Sequence, residues 1–334
     1  MIQNKSYSAD QSCVLCNSAV GYQKKFNRFE KDNRSYEIII CPGCRLWITQ
    51  PFPDQEHLDS LYSTNNYRKH HSRFVLPAEK IVEFFRKLRC RRIKNLFYKG
   101  RILDIGCARG LFLSLMREEG WKTFGLELND NTAHHARNVI GLDVKSGNLS
   151  DAHFGVQSFD VITIWHVLEH LSDPILTINE CNRILKKGGK LVIAVPNTES
   201  LQAKISGRFW FHLDIPYHLY HFNVRNLRLL LGRFSFKINK IRHFSFEFNP
   251  FGYLQSFLNI SRIEHNLLYN LLKTKSIRKS LLSRTRRSKF IMHLSLTAIL
   301  TPFFIPLSLI LAVIEAVMRH GGTIEVYATK RDDD

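Results

Sequence analysis

Acid is what this sequence has too little of: 29 Asp and Glu stand against 48 Lys and Arg, leaving a formal charge of +19. That imbalance points to an anionic partner, either nucleic acid or an acidic membrane surface, and the position of the charge has to decide between them. Cysteine is also sparse. Of seven, four fall in two CxxC pairs, while Cys90, Cys107 and Cys181 are scattered at helical or strand-end positions suited to small buried hydrophobes, so no disulfide framework is expected. The first ten residues, MIQNKSYSAD, lack a basic start and an apolar stretch. No secretory signal is visible there, and a cytoplasmic protein is the expectation. The 334 residues, 44% of them hydrophobic, are enough for a large core and about two domains.

The stretch that organises the chain is Arg101–Gly110, RILDIGCARG. Ile102, Leu103 and Ile105 suit a buried parallel strand, and Gly106 and Gly110 permit a sharp turn into the amphipathic run Leu111–Glu118. A GxGxxG turn that lays a pyrophosphate on a helix N-terminus is the obvious competitor. Asp104 argues against it, because a carboxylate at the strand end repels pyrophosphate but attracts a ligand that carries an ammonium and a sulfonium. A second strand, Trp121–Glu127, ends in an acid able to accept both hydroxyls of a ribose. Residues 131–138 read as a helix and Leu142–Lys145 as a third strand, followed by Gly147, Asn148 and Leu149. The apolar run after Asp160 stops at Trp165-His166, and LEH and Asp173-Pro174 lead into a helix over 174–186. Lys190–Val195 is the next strand. This alternation predicts an α/β protein with a doubly wound parallel sheet.

Taken together, the stretch from 101 to 197 resembles the class I S-adenosylmethionine (SAM)-dependent methyltransferases, with Ala108 in place of the middle glycine of their DxGxGxG motif. The resemblance implies a Rossmann-like sheet and SAM as cofactor, held by Asp104, Gly106, Gly110, Glu127, Asn148, Leu149 and His166. Asn148 would meet the adenine edge, although an Asn after Gly is also an ordinary turn residue. The segment 209–227, FWFHLDIPYHLYHFNVRNL, resembles the D-x-P-x-H-L-x-x-F stretch that covers the acceptor pocket in polysaccharide-cluster and quinone-type methyltransferases. It points to His218 as proton acceptor, with His221 and His170 behind it and Asp214 as an orienting partner. A histidine suits that role because its pKa lies near neutrality, and each alone could equally be a structural histidine. The transfer itself aligns an acceptor oxygen with the sulfonium methyl. It requires no metal, although Glu169 and His170 leave room for one.

Ahead of this core, Cys13, Cys16, Cys41 and Cys44 form CxxC-x24-CxxC, which places four thiolates on two tight turns, as in a zinc ribbon. A redox CxxC would need a thioredoxin-like βαβ pattern, which is absent. Four protein ligands leave zinc no open position, so its role would be structural. From Pro77 to Tyr98, Ile81, Phe84, Phe85, Leu88 and Leu96 keep helical spacing opposite a basic face that reads as solvated. Residues 234–247 suggest a further strand. Residues 273–289 carry eight Lys or Arg and no acid, 290–318 are overwhelmingly apolar, and GGTIEVYATK at 321–330 resembles the last antiparallel strand of the class I sheet. Because that strand must rejoin the sheet, the apolar stretch is expected to dip into a membrane and return, bending at Pro302 and Pro306. The basic run would face anionic headgroups on the cytoplasmic side.

The organisation expected is a zinc ribbon (1–55), a helical cap (56–100), a SAM-dependent methyltransferase core (101–250), a membrane-associating insertion (251–319) and the last strand (320–330). The function expected is O-methylation of a lipid-linked glycan or related small-molecule acceptor, by an enzyme peripheral or monotopic at the inner membrane. It resembles the zinc-ribbon methyltransferases of bacterial surface-glycan and lipid pathways. Quinone-ring O-methylation, RNA methylation and a non-catalytic zinc-ribbon adaptor are the alternatives. Nucleic acid is disfavoured, since the basic run abuts apolar residues rather than interleaved stacking aromatics.

Overall fold

The computed structural model describes residues 12–18, 21–31, 33–54, 57, 76–272 and 287–331. Most of the basic run 273–289 and residues 58–75 of the expected cap lie outside them. A mixed seven-stranded sheet forms the centre. It contains β4 (Arg101–Ile105), β5 (Lys122–Glu127), β6 (Asp143–Ser146), β7 (Phe159–Trp165), β8 (Leu185–Pro196), β10 (Phe236–Arg242) and β11 (Thr323–Lys330), in the order β10-β11-β8-β7-β4-β5-β6. The strands from β6 to β8 run parallel, and every residue of β7 is buried, as expected of an apolar run covered on both faces. β11 is antiparallel to both neighbours, pairing Thr323 with Pro196 and Arg242 with Glu325. The final strand therefore sits where GGTIEVYATK was expected to add.

Helices α2 (Leu111–Glu118), α3 (Asp130–Asn138) and α4 (Pro174–Ile184) connect the parallel strands, and α5 (Leu201–Ser206) and α6 (Val224–Arg233) follow β8. Asn129 caps α3 by accepting from Thr132 N–H, and Asp173 caps α4 by accepting from Leu176 N–H, next to Pro174 at the first turn. Cys90, Cys107 and Cys181 are buried, as the sequence implied.

The N-terminal strands β1 (Gln23–Lys31), β2 (Arg34–Ile40) and β3 (Trp47–Gln50) form an antiparallel sheet whose fourth strand comes from far along the chain. That strand, β9 (Tyr220–His221), pairs Ile48 with Tyr220 and Trp47 with His221. One core cluster joins Cys13, Cys44 and Leu46 of the cysteine-bearing part to Leu219, Phe222 and Leu227 beyond it. The sheet is thus packed into the molecule rather than appended.

Helix α1 (Leu76–Lys94) departs from its sequence reading. Ile81 and Phe84, assigned to the apolar face, are each 54% exposed. Part of the basic side instead turns inward, while Lys87 and Arg91 stay exposed: Arg86 and Arg89 both bind the carboxylate of Glu247, and Arg92 pairs with Glu325. Acids outside the helix, Glu325 buried and Glu247 half-buried, outcompete water for these guanidiniums.

The expected membrane hairpin is corrected. Residues Arg287–Val317 form one continuous helix, α9, which runs through Pro302 and Pro306 and spans about 46 Å at ~1.5 Å per residue. One stripe, Phe290, Thr297, Ser308, Ala312 and Glu315, is buried along its length. It lies against α7 (Asn249–Ile260) and α8 (Leu267–Leu272), with Phe290 in a cluster with Leu254, Leu258 and Leu267. At the other end Glu315 accepts from Asn249 Nδ2, Tyr253 Oη and Gly322 N–H. Folding back at Pro302 would forfeit the contacts at one end. The remaining faces carry exposed Ile299, Phe303, Ile310 and Val313.

Candidate active site

The C-terminal ends of β4, β5 and β7 meet in one place, as parallel strands with a reversal in order must. The turn after β4 is fixed from the backbone: Gly106 and Cys107 donate to the carbonyl of Leu126 at 2.7 and 3.1 Å. Gly106 has φ 75°, and a Cβ there would stand 2.3 Å from Val167 Cγ2. No other residue fits so close to the β7 loop. Ala108 takes φ 53° and donates its N–H to Glu127 Oε2 at 2.9 Å. The departure from glycine is thus absorbed by a left-handed residue that ties the turn to the second strand.

Asp104 and Glu127 end adjacent strands, both about 5% exposed. Asp104 Oδ1 accepts from Thr163 Oγ1 at 2.6 Å, across the β4–β7 pairing. Burial pushes its carboxyl up to about 7, against the opposing pull of the Thr163 hydrogen bond and of Arg89. Glu127 also accepts from Asn129 N–H at 3.1 Å, which holds the carboxylate at the strand end. Gly110 (φ 81°) opens α2. Asn148 is exposed and Leu149 buried beside it. Arg89, from α1, lies with its guanidinium 4.7 Å from the Trp165 ring centre. Sequence reasoning missed Thr163 and Arg89. Thr163 had a legible signal, a single hydroxyl in the apolar strand FDVITIW.

Beyond β7 the chain passes His166 (φ 54°), whose ring lies 4.0 Å from that of Phe248, and then a 3-10 turn, Leu168–His170. Two bonds stitch this turn to the aromatic segment: Leu219 N–H donates to Glu169 O at 2.8 Å, and His170 Nδ1 donates to Tyr217 O at 2.9 Å. His170 and His218 are thereby brought to a ring separation of 4.5 Å. His218 Nδ1 donates to His212 O at 2.8 Å. Asp214 orients this segment through its main chain: at φ 36° its carbonyl accepts from Tyr217 N–H and His218 N–H. Its carboxylate acts on His218 only through space, raising proton affinity against the stronger lowering by burial. His221 stands apart in β9, its Nε2 3.1 Å from Thr49 Oγ1, and burial holds it well below the usual histidine range. Glu169 is 1% exposed, burial pushes its carboxyl up to about 8, and neither oxygen completes a hydrogen bond. His166 Nδ1 is 3.4 Å from it.

A second cluster lies in the N-terminal sheet. Each CxxC occupies a turn, with Asn17 N–H donating to Cys13 O and Arg45 N–H to Cys41 O. Cys13 Sγ is 3.6 Å from Cys44 Sγ, and Cys16 Sγ is 3.7 Å from Cys41 Sγ. A tetrahedral ion with metal–sulfur bonds of ~2.3 Å requires sulfurs about 3.8 Å apart, so the donors fit zinc.

With this geometry in hand, comparison with known proteins is direct. A family model described as a methyltransferase domain matches residues 70–241, just over half of the sequence. The chain belongs to this methyltransferase family. It is 31% identical over 97 residues to a probable S-adenosylmethionine-dependent methyltransferase of Mycolicibacterium smegmatis, covering 29% of this chain and 38% of that protein. It is 33% identical over 103 residues to a ubiquinone biosynthesis O-methyltransferase of Xanthomonas oryzae, covering 29% and 43%. The match thus spans less than half the length of either relative. Among solved structures, a SAM-dependent methyltransferase from Archaeoglobus fulgidus aligns with a TM-score of 0.46 at 22% identity, over 74% of this chain and 94% of that one. Within the methyltransferase family, the strand-end acids Asp104 and Glu127 occupy the matched region, as do the β7 loop and the segment bearing His218.

Proposed function

We propose that this methyltransferase binds SAM across the ends of β4 and β5 and passes its methyl to an oxygen of a small-molecule acceptor held over Glu169, His170 and His218. One observation carries the reading: two buried carboxylates, Asp104 and Glu127, flank a glycine turn too tight for any side chain at Gly106. Asp104 would face the cationic end of SAM and Glu127 its ribose hydroxyls, while Gly110, Asn148, Leu149 and His166 line the remainder. SAM fits this chemistry, because a buried carboxylate raised toward neutrality gains most from a cationic ligand. In the transfer the acceptor oxygen forms a bond to the methyl carbon while the carbon–sulfur bond breaks. Its electron pair stays on sulfur, leaving a neutral thioether, and the acceptor's proton is released. His218, with Nδ1 pinned to a carbonyl, offers Nε2 as proton acceptor. His170 stands beside it, and Asp214 positions it from the neighbouring turn, while His221 in β9, paired with Thr49, stands apart from this role.

The four cysteines would hold a structural zinc that braces the N-terminal sheet against β9. Helix α9 would lie in the surface of a membrane rather than cross it. It is tied to the protein at both Phe290 and Glu315, yet presents Ile299, Phe303, Ile310 and Val313 outward. The basic run before it would meet anionic headgroups on the cytoplasmic side. An acceptor presented at that surface, a lipid-linked glycan or related molecule, fits this arrangement. A quinone ring is the second reading, favoured by the ubiquinone-pathway name of the Xanthomonas relative. Labelled methyl from SAM, offered with total lipid extracts, should enter a lipid-linked glycan. Label in a quinone would move the acceptor to the second reading, and label in RNA alone would overturn both.

A further inference from the structure

Outside the cysteine sheet, one other group of described residues can gather around a metal ion. Glu169, His170 and His218 each offer a ligand atom, and those atoms all lie within 4.8 Å of one another. Two features make this more than proximity. Each histidine gives its Nδ1–H to a main-chain carbonyl, Tyr217 O for His170 and His212 O for His218. A carbonyl can only accept, so Nδ1 carries the proton in both rings and Nε2 carries the lone pair. This is the outer-shell arrangement that fixes metal-binding histidines. Beside the rings lies Glu169, 1% exposed, with neither carboxylate oxygen completing a hydrogen bond. His166 Nδ1 comes within 3.4 Å of it without completing a hydrogen bond; a buried carboxyl so left is costly, and a cation on it removes that cost.

We propose that Glu169, His170 and His218 bind a divalent first-row transition-metal ion. Two imidazoles, one carboxylate and no thiolate suit zinc, manganese or iron better than magnesium or calcium. Three protein ligands leave coordination positions open, in contrast to the four sulfurs of the cysteine cluster. The ion's role rests on the methyl-transfer reading: an acceptor hydroxyl on an open position would lose its proton to water more readily, and its oxygen would attack the methyl as an oxyanion. The same cluster then acts through the metal, with His218 as ligand instead of base. Val167 packs on Gly106, so the loop that carries these ligands abuts the glycine turn of the cofactor side.

Zn2+ is the probe. Full-length protein saturated at its cysteines and dialysed should take up one further equivalent in a calorimetric titration. Glu169→Gln and His218→Gln should each weaken that uptake at least about a hundredfold, while circular dichroism and SAM affinity stay at wild-type values. Absence of a second equivalent in the wild-type protein overturns the proposal, as does uptake that survives both substitutions. The wild-type stoichiometry decides even where a variant fails to fold. Metal uptake without SAM binding would keep the ion and remove the methyl-transfer reading; SAM binding without a second ion would return His218 to the role of a plain base.

Discussion

The four cysteines and the Glu169–His170–His218 group are both clusters of potential ligands, but they are built in opposite ways. Cys13, Cys16, Cys41 and Cys44 come from two local turns, and their sulfurs already stand near tetrahedral spacing. The other group joins segments some fifty residues apart through main-chain bonds, and it leaves Glu169 unsatisfied in the protein interior. A closed set of four identical donors would hold structure together once it binds zinc. An incomplete set with a costly buried acid would, on the proposed reading, leave positions open to a ligand that comes and goes.

The hardest test of this contrast is Cys44→Ser. Structural zinc in small domains is worth ~10–16 kcal/mol, so losing one of four ligands should release the ion and open the N-terminal sheet. Because Trp47 pairs with His221, methyl transfer should fall with it. Zinc content and limited proteolysis read the outcome, and a zinc-free variant with an intact sheet would erase the structural half of the comparison. Glu169→Gln should do the reverse: labelled-methyl transfer drops roughly 10²–10⁴-fold, as for loss of a group acting at the reacting atoms, while melting temperature holds or rises.

A pH series sharpens the cofactor side. Burial keeps Asp104 protonated up to about pH 7, so the free protein loses stability as pH rises from about 4 through 7, where the unfolded chain would already be ionised. On the proposed reading SAM would recruit the ionised form. Its affinity should therefore plateau above about pH 8 and weaken by up to about tenfold per unit below 7, and Asp104→Asn should flatten the profile at low affinity. The smallest effect is expected at α9, where Phe303→Asp with Ile310→Asp should cut binding to anionic vesicles several-fold and leave SAM affinity alone. Sedimentation with vesicles measures this, and unchanged partition would detach the helix from any membrane role.

How much of this was legible follows from how far each feature depends on local sequence. The β4 turn, the strand-end acids and both CxxC turns are local patterns, and strand alternation gave the parallel sheet. Thr163 opposite Asp104 depends on strand register, which one sequence does not print. The inward turn of Arg86, Arg89 and Arg92 depends on Glu247 and Glu325, far along the chain. Composition alone therefore misassigned those three arginines as solvated, while Lys87 and Arg91 of the same face are exposed as expected. The same holds for α9, whose prolines suggested a bend until the packing stripe from Phe290 to Glu315 set its course. Clustering of His170 with His218 was expected from the motifs, yet the carbonyls that fix their tautomers belong to Tyr217 and His212 and were invisible.

Most direct for the central claim is a calorimetric SAM titration of three proteins side by side. Wild type should bind one SAM, Glu127→Ala at least about tenfold more weakly through loss of charge-assisted hydrogen bonds of roughly 1.5–3 kcal/mol each, and Glu169→Gln within twofold of wild type. No SAM binding by the wild-type protein, or an unchanged affinity in Glu127→Ala, would contradict the assignment of cofactor to one side of the site and acceptor chemistry to the other.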